Sequence, residues 1–333
     1  MNLTRKFVAL GACGLLVVGI ALGQNRGGGG RMGGGFGGFG GGRGWDDGDG
    51  PVVHTEGGDA VDENTIRTAR ETASHSTGFP NWTNSAGFEK DVFTFSRVVW
   101  RFRKTPLPGN PGRGGRGGRG GGRAGWMGWV NDYPDSDLNL SFRLQQMTSL
   151  RADPDARVLK LGSPELASYP FIYMVKPGRM ELKPEEVPQL RKYLKNGGVL
   201  LADDFWGDGE WDNFEHEIGR VLPKQGWTEL RLDHPIFHTV FDLRNTAKND
   251  LQVPSIHNFE RTGRSYRGGE DTMEIHIRAW FDDKKRIMVI ALHNTDNGDG
   301  WEREGEDEEY FHRFSERRAY PIAINIIYYL MTH

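Results

Sequence analysis

The sequence predicts an α/β protein with a largely parallel β-sheet covered by helices on both faces. Two strand-length runs, residues 170–175 and 199–202, are almost entirely apolar, and such runs are typical of parallel strands buried on both faces. Between them, residues 184–196 carry apolar side chains at helical spacing, as a crossover helix would. Because strand and helix patterns alternate along the chain, the α/β class is favoured.

Each element follows from its own pattern. The predicted strands are residues 93–102, 157–161, 170–175, 199–202, 229–232, 274–281 and 286–293. The predicted helices pass through Leu140, Leu144 and Met147 and then cover residues 184–196, 210–221 and 310–331. Pro184 suits the first turn of its helix and Gly197 the C-terminal end. Ordered structure is expected to begin near Phe79 and to form one domain over residues 79–333.

The N-terminus has the layout of a secretory signal over residues 1–23. Arg5 and Lys6 precede an apolar run that starts at Phe7 and ends in small residues before Gly23. We expect cleavage after Gly23, a periplasmic or secreted protein, and no membrane span in the mature chain. A retained single-span anchor is the alternative, because the apolar run approaches the length of a membrane helix.

Cysteine chemistry is excluded from the mature chain. The one cysteine, Cys13, lies inside the predicted signal. The processed protein therefore has no disulfide, no thiolate metal site and no cysteine nucleophile. The formal net charge of -3 does not indicate nucleic acid or an anionic membrane as a partner.

Glycine is concentrated in two tracts. Residues 24–78 are expected to be a Gly-rich disordered tether and N-terminal extension, and residues 108–125 an Arg/Gly-rich insertion in the domain. Arg-Gly repeats bind RNA in other proteins through stacking of arginine. Because an exported protein rarely meets RNA, a loop excursion is the favoured interpretation, and RNA binding is the weaker alternative.

Four segments carry a resemblance to a known family. They contain the sequences LNLSFRLQQM, GGVLLADDFWG, LDHPIFHTVFDL and AYPIAINIIYYL. In these residues the chain resembles the bacterial family called domain of unknown function DUF4159, over residues 93–333. Through that family it is similar to the class I glutamine amidotransferase-like superfamily and to trehalose-utilisation proteins. The resemblance implies a flavodoxin-like sheet with flanking helices and no particular activity.

Amidotransferases of this class keep a cysteine in the turn after a central strand. Here Asp203 and Asp204 stand in the predicted turn after residues 199–202, so glutaminase chemistry of the cysteine type is excluded. Either carboxylate is a candidate catalytic base or metal ligand, because ligands bind at the carboxyl ends of parallel strands. Structural hydrogen bonds to loop amides are the alternative. Adjacent strand residues point apart, which argues against a catalytic dyad.

Further candidates line the same predicted pocket. Asp135, Asp137 and Arg143 are expected near the start of a helix, where the carboxylates either face a ligand or cap the helix. Arg143 would pair with one of them or hold a ligand carboxylate or phosphate. An EF-hand-type calcium loop is excluded, because Leu140 and Gln146 occupy the positions that require Gly and Glu.

Aromatic residues beside the acids suggest a sugar. Trp206 and Trp211 suit stacking against a sugar ring, with core packing as the alternative. Trp301 and Asn294 are assigned to the same pocket.

Histidines and late acidic residues are the remaining candidates. His234 and His238 stand four residues apart, but Pro235 excludes the metalloprotease pattern. His293 follows a predicted strand and is assigned to the pocket. In the loop after it, Asp296, Asp299 and Glu302 are candidate oxygen ligands of a divalent cation. No cofactor is predicted, although these residues are compatible with a divalent cation.

These features favour a non-catalytic ligand-binding or scaffold domain whose ligand is a small molecule or a glycan. The alternative is a hydrolase that acts on a carbohydrate or cell-envelope ligand. In that case Asp203 or Asp204 would be the base, assisted by a divalent cation and by His234 or His293.

Overall fold

The computed structural model describes residues 50–76, 80–87, 91–103 and 128–333. All of them belong to one compact unit, residues 46–333. The predicted signal, the Gly-rich tract before residue 50 and the predicted insertion over residues 108–125 lie outside the described residues.

A seven-stranded, mostly parallel sheet forms the centre of the protein and confirms the predicted α/β class. Before the sheet in the chain comes a separate hairpin of β1 Val52–His54 and β2 Ala60–Asp62. The strands of the seven-stranded sheet are β3 Ser96–Val99, β4 Arg157–Lys160, β5 Phe171–Val175, β6 Val199–Phe205, β7 Trp227–Glu229, β8 His276–Phe281 and β9 Ile287–His293. The order across the sheet is β4-β3-β5-β6-β9-β8-β7. The first five strands in that order are parallel, and β8 and β7 extend the sheet antiparallel.

Helices pack on the sheet as two groups. The helices are α1 Asp135–Met147, α2 Glu186–Lys195, α3 Gly207–Val221, α4 Ile256–Thr262, α5 Asn297–Glu302, α6 Glu308–Tyr310 and α7 Tyr320–Thr332, with a π-helix, Phe311–Ala319, leading into α7. The β3–α1–β4 and β5–α2–β6 crossovers run in opposite directions along the sheet. Because such crossovers are right-handed, α1 and α2 cover opposite faces. The contacts agree, since α1 packs with α5 and α7, and α2 packs with α3.

The core lies between these layers. Strands β5, β6 and β9 are buried along their whole length, as their apolar sequences require. Within the described part of the chain, no helix combines the length and the apolar character needed to cross a bilayer.

Strand β6 is longer than the sequence predicts. It continues to Phe205, so Asp203 and Asp204 lie inside the strand and not in a turn after residue 202. The prediction of a turn was wrong because a bulge interrupts the pairing with β9 between Ala202 and Phe205, after which pairing resumes. Asp204 occupies the bulge with a φ of 55°, in the left-handed region. Such a backbone reorients one side chain without ending the strand.

Packed structure also begins earlier in the chain than Phe79, where the sequence predicts that ordered structure starts. Val61, Ile66 and Ala69, which precede Phe79, are buried. The amide of Ala69 donates to Asp155 O over 3.0 Å. Residues 50–76 of the predicted extension therefore form part of the folded domain.

Candidate functional site

Three carboxylates meet at the carboxyl end of the parallel sheet. Asp132, Asp204 and Asp296 each present an oxygen within 4.8 Å of the oxygens of the other two, and all three residues are buried. We call this cluster the acidic triad. Its members come from three places: the loop before α1, the bulge in β6, and the residue that caps α5. The fold therefore assembles the triad from segments that are distant in the sequence.

Asp132 is held by its backbone and one neighbour. Its φ is 60°, and its Oδ1 accepts a hydrogen bond from Asn131 Nδ2. Its Oδ2 is buried and has no hydrogen-bond partner among the described residues. Burial raises the pKa of Asp132 well above its usual range, and Asp299 raises it further, against an opposing effect of Lys176. An anionic Asp132 therefore needs a cation that its protein neighbours supply only in part.

Asp204 has several donors around it. Its Oδ1 accepts from Trp206 Nε1 over 2.8 Å and from Arg267 Nη2 over 2.7 Å. Its Oδ2 has only longer contacts, 3.4 Å to Asn131 Nδ2 and 3.4 Å to Lys176 Nζ. The guanidinium of Arg267 also stacks over the Trp206 ring, 4.9 Å from its centroid. Asp204 thus fixes Trp206 and Arg267 at the edge of the sheet.

Asp296 caps α5 and shares Arg267 with Asp204. Its Oδ1 accepts from the amide of Asp299 over 3.2 Å, and its Oδ2 accepts from Arg267 Nη2 over 3.1 Å. Burial raises the pKa of Asp296 well above its usual range, and the negative charge of Asp204 adds to this shift. One guanidinium nitrogen therefore serves two buried carboxylates.

A second group of acids adjoins the triad through Asp132. Glu56, Asp132 and Glu302 also bring carboxylate oxygens within 4.8 Å of one another. This side has its own cation, because Arg303 pairs with Glu56 and lies 2.8 Å from Glu302 Oε2. Asp299 accepts a hydrogen bond from the amide of Ile256. The charges of Glu56 and Glu302 are therefore compensated by Arg303, whereas the Oδ2 of Asp132 is not bonded to it.

Asp203 lies apart from the triad although it precedes Asp204. Its oxygens accept from Asn297 Nδ2 over 2.9 Å, from the Gly298 amide over 2.9 Å and from Tyr173 Oη over 3.3 Å. Burial raises the pKa of Asp203 to about 7, although the hydrogen bond from Asn297 acts in the opposite direction. The two carboxylates share no hydrogen-bond donor, so they do not form a dyad.

The candidates on α1 are engaged in structural contacts. Asp135 accepts from the amide of His75 over 3.1 Å and so ties the N-terminal segment to α1. Asp137 is fully buried and pairs with the fully buried Arg97. Arg143 pairs with Glu304 and not with either aspartate.

The candidates after β9 are also enclosed. The ring of His293 contacts Gly207 O at 3.1 Å, and burial together with Arg278 lowers its pKa to about 3. Asn294 bonds to Gly207 N with its carbonyl and to Asp271 O with its amide nitrogen. Trp301 is fully buried against Phe95 and Tyr173. These three residues stabilise the edge of the sheet and do not line an open pocket.

His234 is not brought to the triad. Its Nδ1 accepts from the amide of Ile236 over 3.3 Å, and its ring packs against Tyr329 with 5.6 Å between centroids. It thus caps the short turn Pro235–Phe237, as a residue before proline at a helix start often does.

Sequence reasoning did not select Lys176 or Arg267 as site residues. Lys176 directly follows a predicted strand, so its position at a strand end was an available signal. Arg267 comes from a loop between α4 and β8 that carries no motif, and no sequence signal places it at the triad.

A small cavity lies beside Arg267. It has a volume of about 270 Å³ and is lined by Ser255, His257, Asn258, Arg261 and Arg267. A larger cavity of about 760 Å³, bordered by Trp82 and Arg151, includes no residue of the triad. The smaller cavity therefore shares one residue, Arg267, with the hydrogen bonds of the triad.

The fold and this edge define a mostly parallel α/β protein with a buried carboxylate site. The family described as domain of unknown function (DUF4159) matches residues 123–331, which is more than half of the chain, so the chain belongs to that family. The match begins later than the expected resemblance, which covers residues 93–333. No curated protein matches the chain.

Proposed function

We propose that this is an exported, non-catalytic ligand-binding domain with a flavodoxin-like, class I glutamine amidotransferase-like fold. Numbered in chain order, the five parallel strands β3, β4, β5, β6 and β9 lie in the order 2-1-3-4-5. That order is typical of flavodoxin-like sheets, in which ligands bind outside the carboxyl ends of the strands. The acidic triad lies at this edge.

The observation that carries the proposal is the chemistry of the edge itself. The only cysteine of the chain is Cys13, far from the domain in sequence. Asp204, which lies in the bulge near the end of the fourth parallel strand, is bonded to Trp206 and Arg267. A carboxylate held by such donors can orient a ligand, but it replaces no thiolate in an attack on an amide.

The ligand expected here is a small polar molecule or a glycan. Trp206 is 6% exposed and Arg267 stacks on its ring, so an indole and a cation lie together beside the carboxylates. Sugars suit such surfaces, because their ring faces stack on indoles and their hydroxyl groups bond to acids.

A hydrolase that acts on a carbohydrate or cell-envelope ligand is the second candidate. The observation in its favour is the pKa of Asp203, which burial raises to about 7. A general base works best when its pKa is near the working pH. Asp203 accepts its hydrogen bonds from Tyr173, Asn297 and Gly298, which are all buried, and this makes the hydrolase the weaker candidate.

Turnover assays on the mature chain, residues 24–333, separate these functions. We expect no ammonia from glutamine and no release of sugar from a panel of glycans and peptidoglycan fragments. Ammonia release would contradict the proposal. Glycan turnover that is lost in Asp203→Asn or Asp204→Asn would establish the hydrolase instead.

Export is tested separately by cell fractionation with N-terminal sequencing of the recovered protein. We expect a periplasmic or secreted chain that begins at Gln24. A cytoplasmic chain that retains Met1 would contradict this part of the proposal.

A further inference from the structure

We propose that Asp132, Asp204 and Asp296 bind a hard divalent cation of the Mg²⁺, Mn²⁺ and Ca²⁺ type. The inference rests on the proposed function, because it takes the carboxyl edge of the sheet as the binding site. It deepens that function by naming the chemical class of one ligand and the atoms that hold it.

The spacing of the oxygens suits one ion. Such cations bind oxygens at about 2.0 to 2.6 Å, so the ligand oxygens around one ion lie roughly 3 to 5 Å apart. The three carboxylates have oxygens within 4.8 Å of one another without any rearrangement of the backbone. The ligands also come from three separate segments, so a bound ion would join the loop before α1, strand β6 and the start of α5.

A buried oxygen without a partner points to the ligand independently of the cluster. Asp132 is 0% exposed, and its Oδ2 has no hydrogen-bond donor within the described residues. Buried charged groups are normally paired or bound to a metal. Asp132 is the residue that both acidic groups share, so an ion bonded to it would lie beside carboxylates of both groups.

The negative charge of the triad is only partly balanced by nearby cationic side chains. Three carboxylates of the triad are opposed by Lys176 and by Arg267, whose side chains are 12% and 29% exposed. Among the described residues, neither of these groups donates a hydrogen bond to the Oδ2 of Asp132. Arg267 bonds to the other two members of the triad, so it substitutes for part of the missing positive charge.

The donor set selects the kind of ion. Every member of the triad offers carboxylate oxygen, and oxygen ligands suit Mg²⁺, Ca²⁺ and Mn²⁺ more than Zn²⁺. His293, the candidate histidine at the end of β9, turns its ring towards Gly207 O and Arg278. It is therefore not available as a nitrogen ligand.

Access is provided by the cavity of about 270 Å³ that Arg267 lines. Arg267 lines this cavity and also bonds to Asp204 and Asp296, so displacement of its side chain would free these carboxylates for an ion that enters there. The neighbouring group of Glu56 and Glu302 is a poorer site, because Arg303 already contacts both carboxylates.

Titration of the mature chain with Mn²⁺, followed by the loss of the free-ion electron paramagnetic resonance signal, tests this site. We expect one Mn²⁺ per chain, displaced by Mg²⁺ or Ca²⁺. Asp132→Asn and Asp296→Asn should each bind Mn²⁺ at least tenfold more weakly. Asp153→Asn is the matched control: it removes a buried carboxylate that accepts from Thr94 and pairs with Arg157, and its binding should stay within threefold of the unchanged protein.

Several results would overturn the cation site. They are no bound Mn²⁺ in the unchanged protein, binding that neither Mg²⁺ nor Ca²⁺ displaces, or triad variants that bind like the control. If Asp132→Asn does not fold, Asp296→Asn and the unchanged protein still decide the matter. If Mn²⁺ does not bind and the turnover assays are negative, only the cation site is contradicted. If the Mn²⁺-loaded protein turns over a substrate, only the non-catalytic function is contradicted.

Discussion

Arg267 Nη2 lies 2.7 Å from Asp204 Oδ1, which joins a side chain that is 29% exposed to one that is completely buried. The contact places the guanidinium of Arg267 against a carboxylate that we infer to bind a metal ion, so the two cations compete for Asp204. When no ion is bound, Arg267 balances the negative charge of Asp204 and Asp296. When an ion binds, Arg267 must lose its hydrogen bond to at least one of these carboxylates. Arg267 is therefore a positioning residue that sets the affinity for the ion.

Replacement of Arg267 by Gln should strengthen Mn²⁺ binding. Removal of one positive charge beside Asp204 and Asp296 leaves these carboxylates more available, and we expect about a tenfold lower Kd, which corresponds to ~1.4 kcal/mol. Titration with Mn²⁺ measures the change. Arg261→Gln is the control, because Arg261 lines the same cavity but bonds to Asn258. Unchanged or weaker binding in Arg267→Gln would show that Arg267 does not compete with the ion.

Replacement of Gly298 by Ala should disturb the triad. A Cβ at Gly298 would clash with Asp132 Oδ2 and would lie 3.0 Å from Tyr173 Oη. We expect Mn²⁺ binding at least tenfold weaker, together with a loss of unfolding free energy of about 1–3 kcal/mol, which is typical of overpacking.

Gly300→Ala supplies the matched control in the same helix. Its added Cβ would lie 2.6 Å from the Cβ of Ala319, away from Asp132. We expect a comparable loss of stability with Mn²⁺ binding retained. Equal loss of binding in both variants would attribute the effect of Gly298→Ala to general destabilisation of α5.

His293 should make stability depend on pH. Burial, assisted by the charge of Arg278, lowers its pKa to about 3 in the folded protein, against an ordinary value of 6.5 in the unfolded chain. Between these values the unfolded state binds more protons, so the free energy of unfolding decreases as the pH falls from about 6.5 towards 3. The slope from this one group approaches ~1.4 kcal/mol per pH unit.

His293→Gln tests this assignment, because an amide can still donate to Gly207 O without titrating. Urea unfolding at pH 7.5, 6.0 and 5.0 should give a shallower decrease in the variant than in the unchanged protein. Parallel curves for the two proteins would show that His293 is not kept neutral by burial.

The buried pair of Arg97 and Asp137 should contribute strongly to the integrity of the fold. Arg97 Nε lies 3.0 Å from both oxygens of Asp137, and its Nη1 donates to Trp129 O over 3.0 Å and to Asn131 O over 2.8 Å. Arg97→Met leaves a buried carboxylate without its cation, and we expect a loss of about 3–5 kcal/mol in unfolding free energy. Denaturant unfolding measures it.

The double variant Arg97→Met with Asp137→Leu separates the charge from the packing. It should recover part of the stability lost in Arg97→Met, because no unpaired charge remains, although Trp129 O and Asn131 O still lack their donor. A double variant less stable than the single one would contradict a penalty caused by the unpaired carboxylate.

The central sheet could be predicted from the sequence because its strands are apolar on both faces. The strands predicted over residues 170–175 and 199–202 correspond to β5 and to the first part of β6. The predicted family resemblance agrees with the match over residues 123–331. The end of β6 could not be predicted, because the bulge depends on how the strand pairs with β9 and not on the amino-acid sequence of β6 alone. The small hairpin β1–β2 was missed because its glycine-rich surroundings predict disorder.

The candidate site could be predicted only in part. Asp204 lies near the end of β6 and Asp296 follows β9, and position at a strand end was a sufficient signal for both. The same rule selected His293 and Trp301, which point into the protein instead. The direction of a side chain at a strand end depends on packing across the sheet, and Arg267 reaches the triad from a loop without any pattern. Neither of these facts is encoded in local spacing.

A crystal of the mature protein grown with Mn²⁺ tests the central claim most directly. Anomalous diffraction should give one strong peak bonded to carboxylate oxygens of Asp132, Asp204 and Asp296, with Arg267 displaced from at least one of its two partners. A Mn²⁺-saturated crystal with no peak at the triad, or with its peak elsewhere on the molecule, would contradict the account.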